Sequence, residues 1–333
     1  SARPEQGDGD RARRAGVALM DLKLSVLDQS PIAEGGSGGQ ALRNSLELAA
    51  LADRRGFHRF WMAEHHATPA LASASPEVLL AAIGRETKRI RIGTGGVMLP
   101  HYSPFKVAES FSMLEALFPG RVDLGLGRAP GADQLTAYAL QQDRRQRTAM
   151  EFPQQVQELM AYYDRTLPQD HPFRHLAMTL PGGEAKPDIW MLGSSPDSAD
   201  LAGVLGLPYC IADFIAGEVP QLADRYRATF RPSARARQPQ LIVACWVVAA
   251  ESSERAHWLA GPSRMMFAHL QQGRLIPVPE PAIAADWLAR NPVPTPAARR
   301  PIVGTAEECR TALEAKAAIY GAEELMLVNI LHG

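Results

Sequence analysis

The chain has 333 residues, 46% hydrophobic and 21% charged, enough apolar material for a sizeable core and a length that fits one large α/β barrel or two ordinary domains. Lys and Arg number 35 against 36 Asp and Glu, so charge gives no reason to expect nucleic acid or an anionic membrane as main partner, and a small molecule is the default. The three cysteines, Cys210, Cys245 and Cys309, lie far apart in no paired spacing, which argues against a disulfide framework or a thiolate metal site and fits a reducing cytoplasm.

Residues 1–19 carry an Arg13-Arg14 pair, but no apolar stretch of about 7–15 residues follows it, as an export signal requires. They are expected to form a flexible tail or cloning remnant, with Met20 a natural start and residues 20–333 a single domain. No run approaches the roughly 18 apolar residues of a membrane helix. From there short apolar runs alternate with longer runs of helical period, the pattern of repeated βα units. The first strand is LKLSVLD; a Gly-rich turn leads into a helix ending at Gly56, which suits the left-handed C′ position. The second strand, FHRFWM, ends at the triplet Glu64, His65, His66. A helix over about Pro76–Thr87 precedes the third strand, RIRIGTGGVML. Ser103 and Pro104 then open a helix whose apolar face is Val107, Phe111, Leu114 and Phe118.

The fourth strand is RVDLGLG. A helix is expected over about 141–163, with Pro153 kinking it or marking its start, and the Pro-rich residues 166–187 read as an insertion before strand five. PDIWML, PYCIAD, LIVACWVVAA and EELMLVNI supply strands five to eight. Residues 273–301, before the last strand, are too Pro-rich for one helix and too long for an ordinary connection, so they are a candidate lid. Thr305 and Glu308 form a capping-box pair ahead of a helix ending at Gly321. The expected fold class is therefore α/β, a single (β/α)8 TIM barrel with its chemistry at the C-terminal strand ends.

That rule selects the motifs. The Glu64-His65-His66 triplet lacks metal-ligand spacing, and adjacent strand residues point to opposite faces, leaving a hydrogen-bonded pair under a loop or a catalytic histidine. GTGG, Gly93 to Gly96, interrupts a strand and marks either a bulge or the close approach of a flat ligand. Arg128 follows strand four, where a guanidinium can bind a phosphate or serve as a solvated loop residue. Gly193, Ser194 and Ser195 lead into a helix at Pro196, either a phosphate site or ordinary capping. Trp61, Trp190 and Trp246 read as barrel packing.

These blocks, RGFHRFWMAEHH, IRIGTGGVMLP, SPFKVAESFSMLEALFPGRVDLGLGRAPGAD, SSPDSADLAGVLGLP and GTAEECRTALEAKAAIYGAEELML, resemble in order those of the bacterial luciferase-like flavin monooxygenases, most specifically in the first half. The resemblance implies a TIM barrel that binds reduced FMN noncovalently, takes it from a separate flavin reductase and reacts with O2. It implies a catalytic role for His65 with Glu64 in support, and it places Gly95-Gly96, often a cis pair, under the isoalloxazine. It gives Arg128 a grip on the FMN phosphate, completed by Gly193, Ser194, Ser195 and Ser198. Replacing Gly96 by Val is expected to block the flavin face while leaving the barrel folded. Gly127 stands where luciferases carry a pocket cysteine, so light emission is not expected. The expected activity is that of a cytoplasmic FMN- and O2-dependent monooxygenase of a small organic substrate, without metal, nucleic acid or membrane partner, and with homodimerisation left open. The alternatives are a deazaflavin-dependent hydride-transfer enzyme on the same fold and a flavin-binding protein without turnover; His65 beside a lid argues against the second.

Overall fold

The computed structural model describes residues 22–128, 134–141, 151–293 and 301–332, so the expected tail of residues 1–19 lies outside the described residues. Its strands are β1 (Lys23–Asp28), β2 (Arg59–Met62), β3 (Arg91–Thr94), β4 (Val97–Met98), β5 (Val122–Gly127), β6 (Asp188–Gly193), β7 (Tyr209–Ala212), β8 (Leu241–Ala250), β9 (Ile302–Thr305) and β10 (Glu324–Val328). Parallel pairing runs β1-β2-β3-β5-β6-β7-β8, and β10 closes the sheet by pairing with both β8 and β1. The result is a closed eight-stranded parallel barrel, with β4 and β9 as additions to it.

Inward-facing residues of alternate strands fill the barrel. Leu27, Trp61, Ala63, Trp190, Cys210, Ile242, Ala244 and Met326 form one buried cluster, with Trp246 packed against it, so all three tryptophans do pack the interior. Trp61 and Trp190 meet edge to face at 5.6 Å, a favoured aromatic geometry. Residues of opposite parity, such as Phe60, Met62, Ile92 and Leu124, pack in the larger cluster between sheet and helices.

Beneath this plug, at the N-terminal strand ends, the guanidinium of Arg59 bonds Glu324 at 3.0 Å and Asp123 at 2.7 Å. Asp123 also accepts from the indole N–H of Trp61 and from Arg91. Four buried or half-buried charges thereby tie β2, β3, β5 and β10 together.

The helices are α1 (Gly38–Arg55), α2 (Pro76–Glu86), α3 (Pro104–Leu117), α4 (Gln134–Leu140), α5 (Phe152–Asp164), α6 (Pro196–Leu205), α7 (Asp213–Ala216), α8 (Gln221–Thr229), α9 (Ser253–Leu259), α10 (Gly261–Gln271), α11 (Pro281–Arg290) and α12 (Ala306–Tyr320). Gly56 and Gly321 end α1 and α12 with φ of 79° and 58°, which only a residue without a Cβ adopts at little strain. Thr305 and Glu308 form the expected capping box.

Of the two readings of Pro153, the start holds: it lies in the first turn of α5, where it has no N–H to donate; residues 142–150 of the expected helix lie outside the described residues. The candidate lid is not one helix, as expected, but it contains a ten-residue helix, α11, opened by Pro281 and packed on α10. The segment after that helix pairs β9 with the end of β8, Val247↔Ile302 to Ala250↔Thr305, a strand the sequence pattern did not reveal. Residues 294–300 of the candidate lid lie outside the described residues.

Candidate active site

At the C-terminal mouth three loops are knitted by backbone hydrogen bonds. Ile32 N–H donates to Ala70 at 2.8 Å, Ala72 N–H donates to Ser30 at 2.9 Å, and Val278 N–H donates to Ile32 at 2.8 Å. The candidate lid is thus bonded to the loop that follows β1, which is bonded in turn to the loop that follows β2 and carries the triplet.

Within the triplet, alternation separates the side chains. Glu64 and His66 share one side and His65 has the parity of Trp61 and Ala63, which face the barrel interior. Glu64 is buried and fully engaged: Oε2 accepts from Met98 N–H at 3.0 Å, and Oε1 accepts from the Tyr102 hydroxyl at 2.7 Å and lies 2.8 Å from His66 Nε2. The support that Glu64 gives therefore goes to His66, Tyr102 and the strand segment after Gly96, not directly to His65. Burial first, and the Glu64 carboxylate second, hold the Tyr102 phenol well above its ordinary pKa, so it stays a donor. His65 is anchored by its backbone, whose N–H donates to Ser73 at 2.8 Å. Its Nδ1 is buried without a hydrogen-bond partner among the described residues. Burial, then the neighbouring His66, push the imidazole down to about 4, so it is neutral at neutral pH.

The third strand breaks at its glycines. Gly93 pairs with Asp123 and Val97 with Leu126, four positions against three, so one extra residue bulges from the ladder at Gly95-Gly96. The peptide bond between these two glycines is cis. Thr94 fills the gap, its hydroxyl donating to Gly125 O at 2.9 Å and accepting from Gly125 N–H at 3.0 Å. A Cβ on Gly96 would stand 2.7 Å from Gly125 O, and one on Gly95 would stand 2.5 Å from the Leu27 side chain. This corrects the expectation for Gly96→Val: its steric cost falls on the β5 backbone, so the substitution perturbs the barrel and cannot isolate a ligand face. At Gly127, by contrast, an added Cβ meets nothing nearer than Val97 O at 4.0 Å.

Across the mouth, Arg128 leaves β5 and its Nη1 lies 3.7 Å from Asp197 Oδ2 in the first turn of α6. Ser195 caps that helix and forms a reciprocal capping box with Ser198, whose hydroxyl also lies 2.9 Å from the Tyr209 hydroxyl. Gly193 is small for a packing reason, since a Cβ there would stand 2.1 Å from Ser198 Oγ. Arg128, Ser195 and Ser198 are therefore brought together, with Gly193 beneath them and Ser194 in the same turn. The sequence reading missed Asp197, Tyr102 and the His66 contact. Asp197 stands inside the quoted stretch, and the even spacing of Glu64 and His66 was a signal for their pairing; Tyr102 carried none.

The model of the luciferase-like monooxygenases matches residues 22–323. The chain belongs to this family. Over 71% of the chain and 70% of the relative, this luciferase-like monooxygenase is 40% identical to the N-acetyl-S-alkylcysteine monooxygenase of Bacillus subtilis strain 168. It superposes on the crystal structure of apo-MsnO8 with a TM-score of 0.84 and 38% identity, covering 95% of this chain and 94% of that one. The oxygenating constituent of 3,6-diketocamphane monooxygenase from Pseudomonas putida, solved in complex with FMN, shares the fold with a TM-score of 0.65 at 19% identity, over 92% of each chain. Luciferase-like monooxygenases are flavin-dependent enzymes, and the residues of this member fit a flavin phosphate: a guanidinium and a capped helix N-terminus converge on one side of the mouth. Among the described residues no group of three or more His, Cys, Asp or Glu is placed to hold a metal ion. No described helix is long and apolar enough to cross a membrane.

Proposed function

We propose that this luciferase-like monooxygenase uses reduced FMN, delivered by a separate flavin reductase, and O2 to place one oxygen atom in a small organic substrate. The observation that carries the reading is the pairing, on one barrel mouth, of an anion-suited side formed by Arg128 and the α6 end with a side formed by the neutral, half-buried His65. Bound between them, FMN supplies the redox chemistry with O2. Arg128, Ser194, Ser195 and Ser198 orient it by its phosphate through charge-assisted and helix-end hydrogen bonds. The Gly95-Gly96 bulge forms the floor. His65 exchanges a proton through the lone pair of its neutral imidazole, and Glu64 holds His66 and the strand beneath it. The strap through Val278 limits water at the mouth. The relative that acts on N-acetyl-S-alkylcysteine makes a thioether of that kind the first substrate to assay.

The test combines reduced FMN, O2 and the thioether, with incorporation of labelled oxygen measured by mass spectrometry. Wild type is expected to label the product. His65→Ala is expected to lose about 10²–10⁴ in rate while FMN affinity stays within a few-fold. Arg128→Ala is expected to weaken FMN binding about tenfold or more. An unchanged rate in His65→Ala makes that residue structural. Hydride transfer to a deazaflavin, with no labelled product from any thioether, would replace the reading by the deazaflavin one.

A further inference from the structure

We infer that Asp197 is a built-in competitor for the flavin phosphate, keeping the cradle loose enough for the flavin to exchange. The inference rests on the phosphate reading above and concerns how tightly that site holds.

Arg128, Ser195 and Ser198, three of the groups placed to grip a phosphate there, each already have a partner within the chain. The Arg128 guanidinium faces the Asp197 carboxylate at 3.7 Å. Ser195 Oγ accepts from Ser198 N–H at 3.4 Å, and Ser198 Oγ donates to Ser195 O at 2.7 Å. Ser198 is held against Gly193 and Tyr209, so it has little freedom to turn outward. A phosphate entering this cradle must separate Arg128 from Asp197 and then sit near a carboxylate of its own sign. Both effects reduce the net gain, because binding is the difference between the new contacts and those given up. Asp197 can yield: its side chain is 79% exposed, and a cavity of about 520 Å³ opens beside Arg128, Leu192, Asp197 and Leu201.

An acidic residue in the first turn of a helix is also favourable for the helix itself. That role alone leaves phosphate affinity untouched or improves it by positioning Arg128. The competitor role makes the opposite prediction. For a flavin that arrives as a co-substrate and leaves with each turnover, a moderated affinity shortens the residence time, since affinity differences at one site appear mainly in dissociation.

The experiment measures dissociation constants of FMN and riboflavin by flavin fluorescence quenching, and FMN release by stopped-flow displacement. The proteins are wild type, Asp197→Asn and Asp197→Ser, each at low and high salt. Wild type is expected to prefer FMN. Both variants are expected to bind FMN about three- to tenfold more tightly, through slower release, because the loss of a like charge some ångströms from a phosphate near the surface has that size. Riboflavin affinity is expected to stay within twofold, and the FMN gain to shrink at high salt. If wild type prefers FMN but the FMN-to-riboflavin ratio is unchanged or lower in both variants, Asp197 is a helix-end or positioning residue and the competitor inference is overturned. Equal affinities of wild type for FMN and riboflavin overturn the cradle and this inference with it.

Discussion

His65 and His66 are neighbours in the chain and differ in the partners their rings meet. His66 meets a buried carboxylate at 2.8 Å, whereas His65 has a buried ring nitrogen with no partner among the described residues. The His65 imidazole sits at about 4 against an ordinary 6.5, with burial the main cause. The sign follows from proton counting. As pH falls through about 6.5 the unfolded chain takes up a proton that the folded chain refuses until about 4, so the unfolded state binds more protons across that window. The stability due to a neutral His65 is complete above about 6.5 and is lost progressively down to about 4. His65→Gln is expected to flatten that part of the pH dependence, measured as urea midpoints for both proteins at several pH values; parallel curves would sink the assignment. The triplet was legible in the sequence by its position after an aromatic strand. Tyr102, 38 residues from Glu64, was not, since nothing local announces a contact made across the chain.

The third strand shows what an element can hide. Its apolar pattern predicted one continuous strand, and the glycines flagged the place where it breaks, but only the pairing register shows that β3 and β4 carry one residue more than the stretch of β5 they face. Thr94 repairs the ladder with its side chain, so the break leaves no polar gap against Gly125. Gly96→Ala is expected to destabilise the barrel by about 1–3 kcal/mol or more, the size of overpacking a filled site, because its Cβ would stand 2.7 Å from a backbone oxygen that cannot swing aside. Chemical denaturation is the measurement; a variant as stable as wild type would mean that β5 yields locally. α11 teaches the complementary lesson. The prolines of residues 273–301 argued against one helix over the whole stretch, and they left open where a shorter one begins; Pro281 occupies the one helical turn where a missing N–H costs nothing.

Over the whole molecule, the candidate site lies at the mouth and the charged closure at the opposite end. Arg59, Asp123, Glu324 and Arg91 lie at the starts of four strands that are far apart in sequence and meet only once the barrel is closed. Arg59→Met leaves Asp123 and Glu324 buried without this guanidinium, which is expected to lower stability by about 3–5 kcal/mol. The urea midpoint should fall with the slope unchanged; a stability loss from that shift of under about 1 kcal/mol would show that Arg91 and the other groups there compensate.

The sequence by itself determined the alternation of strands and helices, and with it the barrel, because hydrophobic period and helix punctuation are local properties of the chain. It also determined which residues stand at strand ends, and so Glu64, His65 and Arg128 as candidates. Only the tertiary structure decided which of those residues touch. It paired Glu64 with His66 instead of His65, set Asp197 against Arg128, and made Gly96 and Gly193 matters of packing against a neighbouring strand and helix turn. Those outcomes depend on the registers between strands and on side-chain directions after closure, where a shift of one residue turns a side chain to the opposite face, and no local pattern records them.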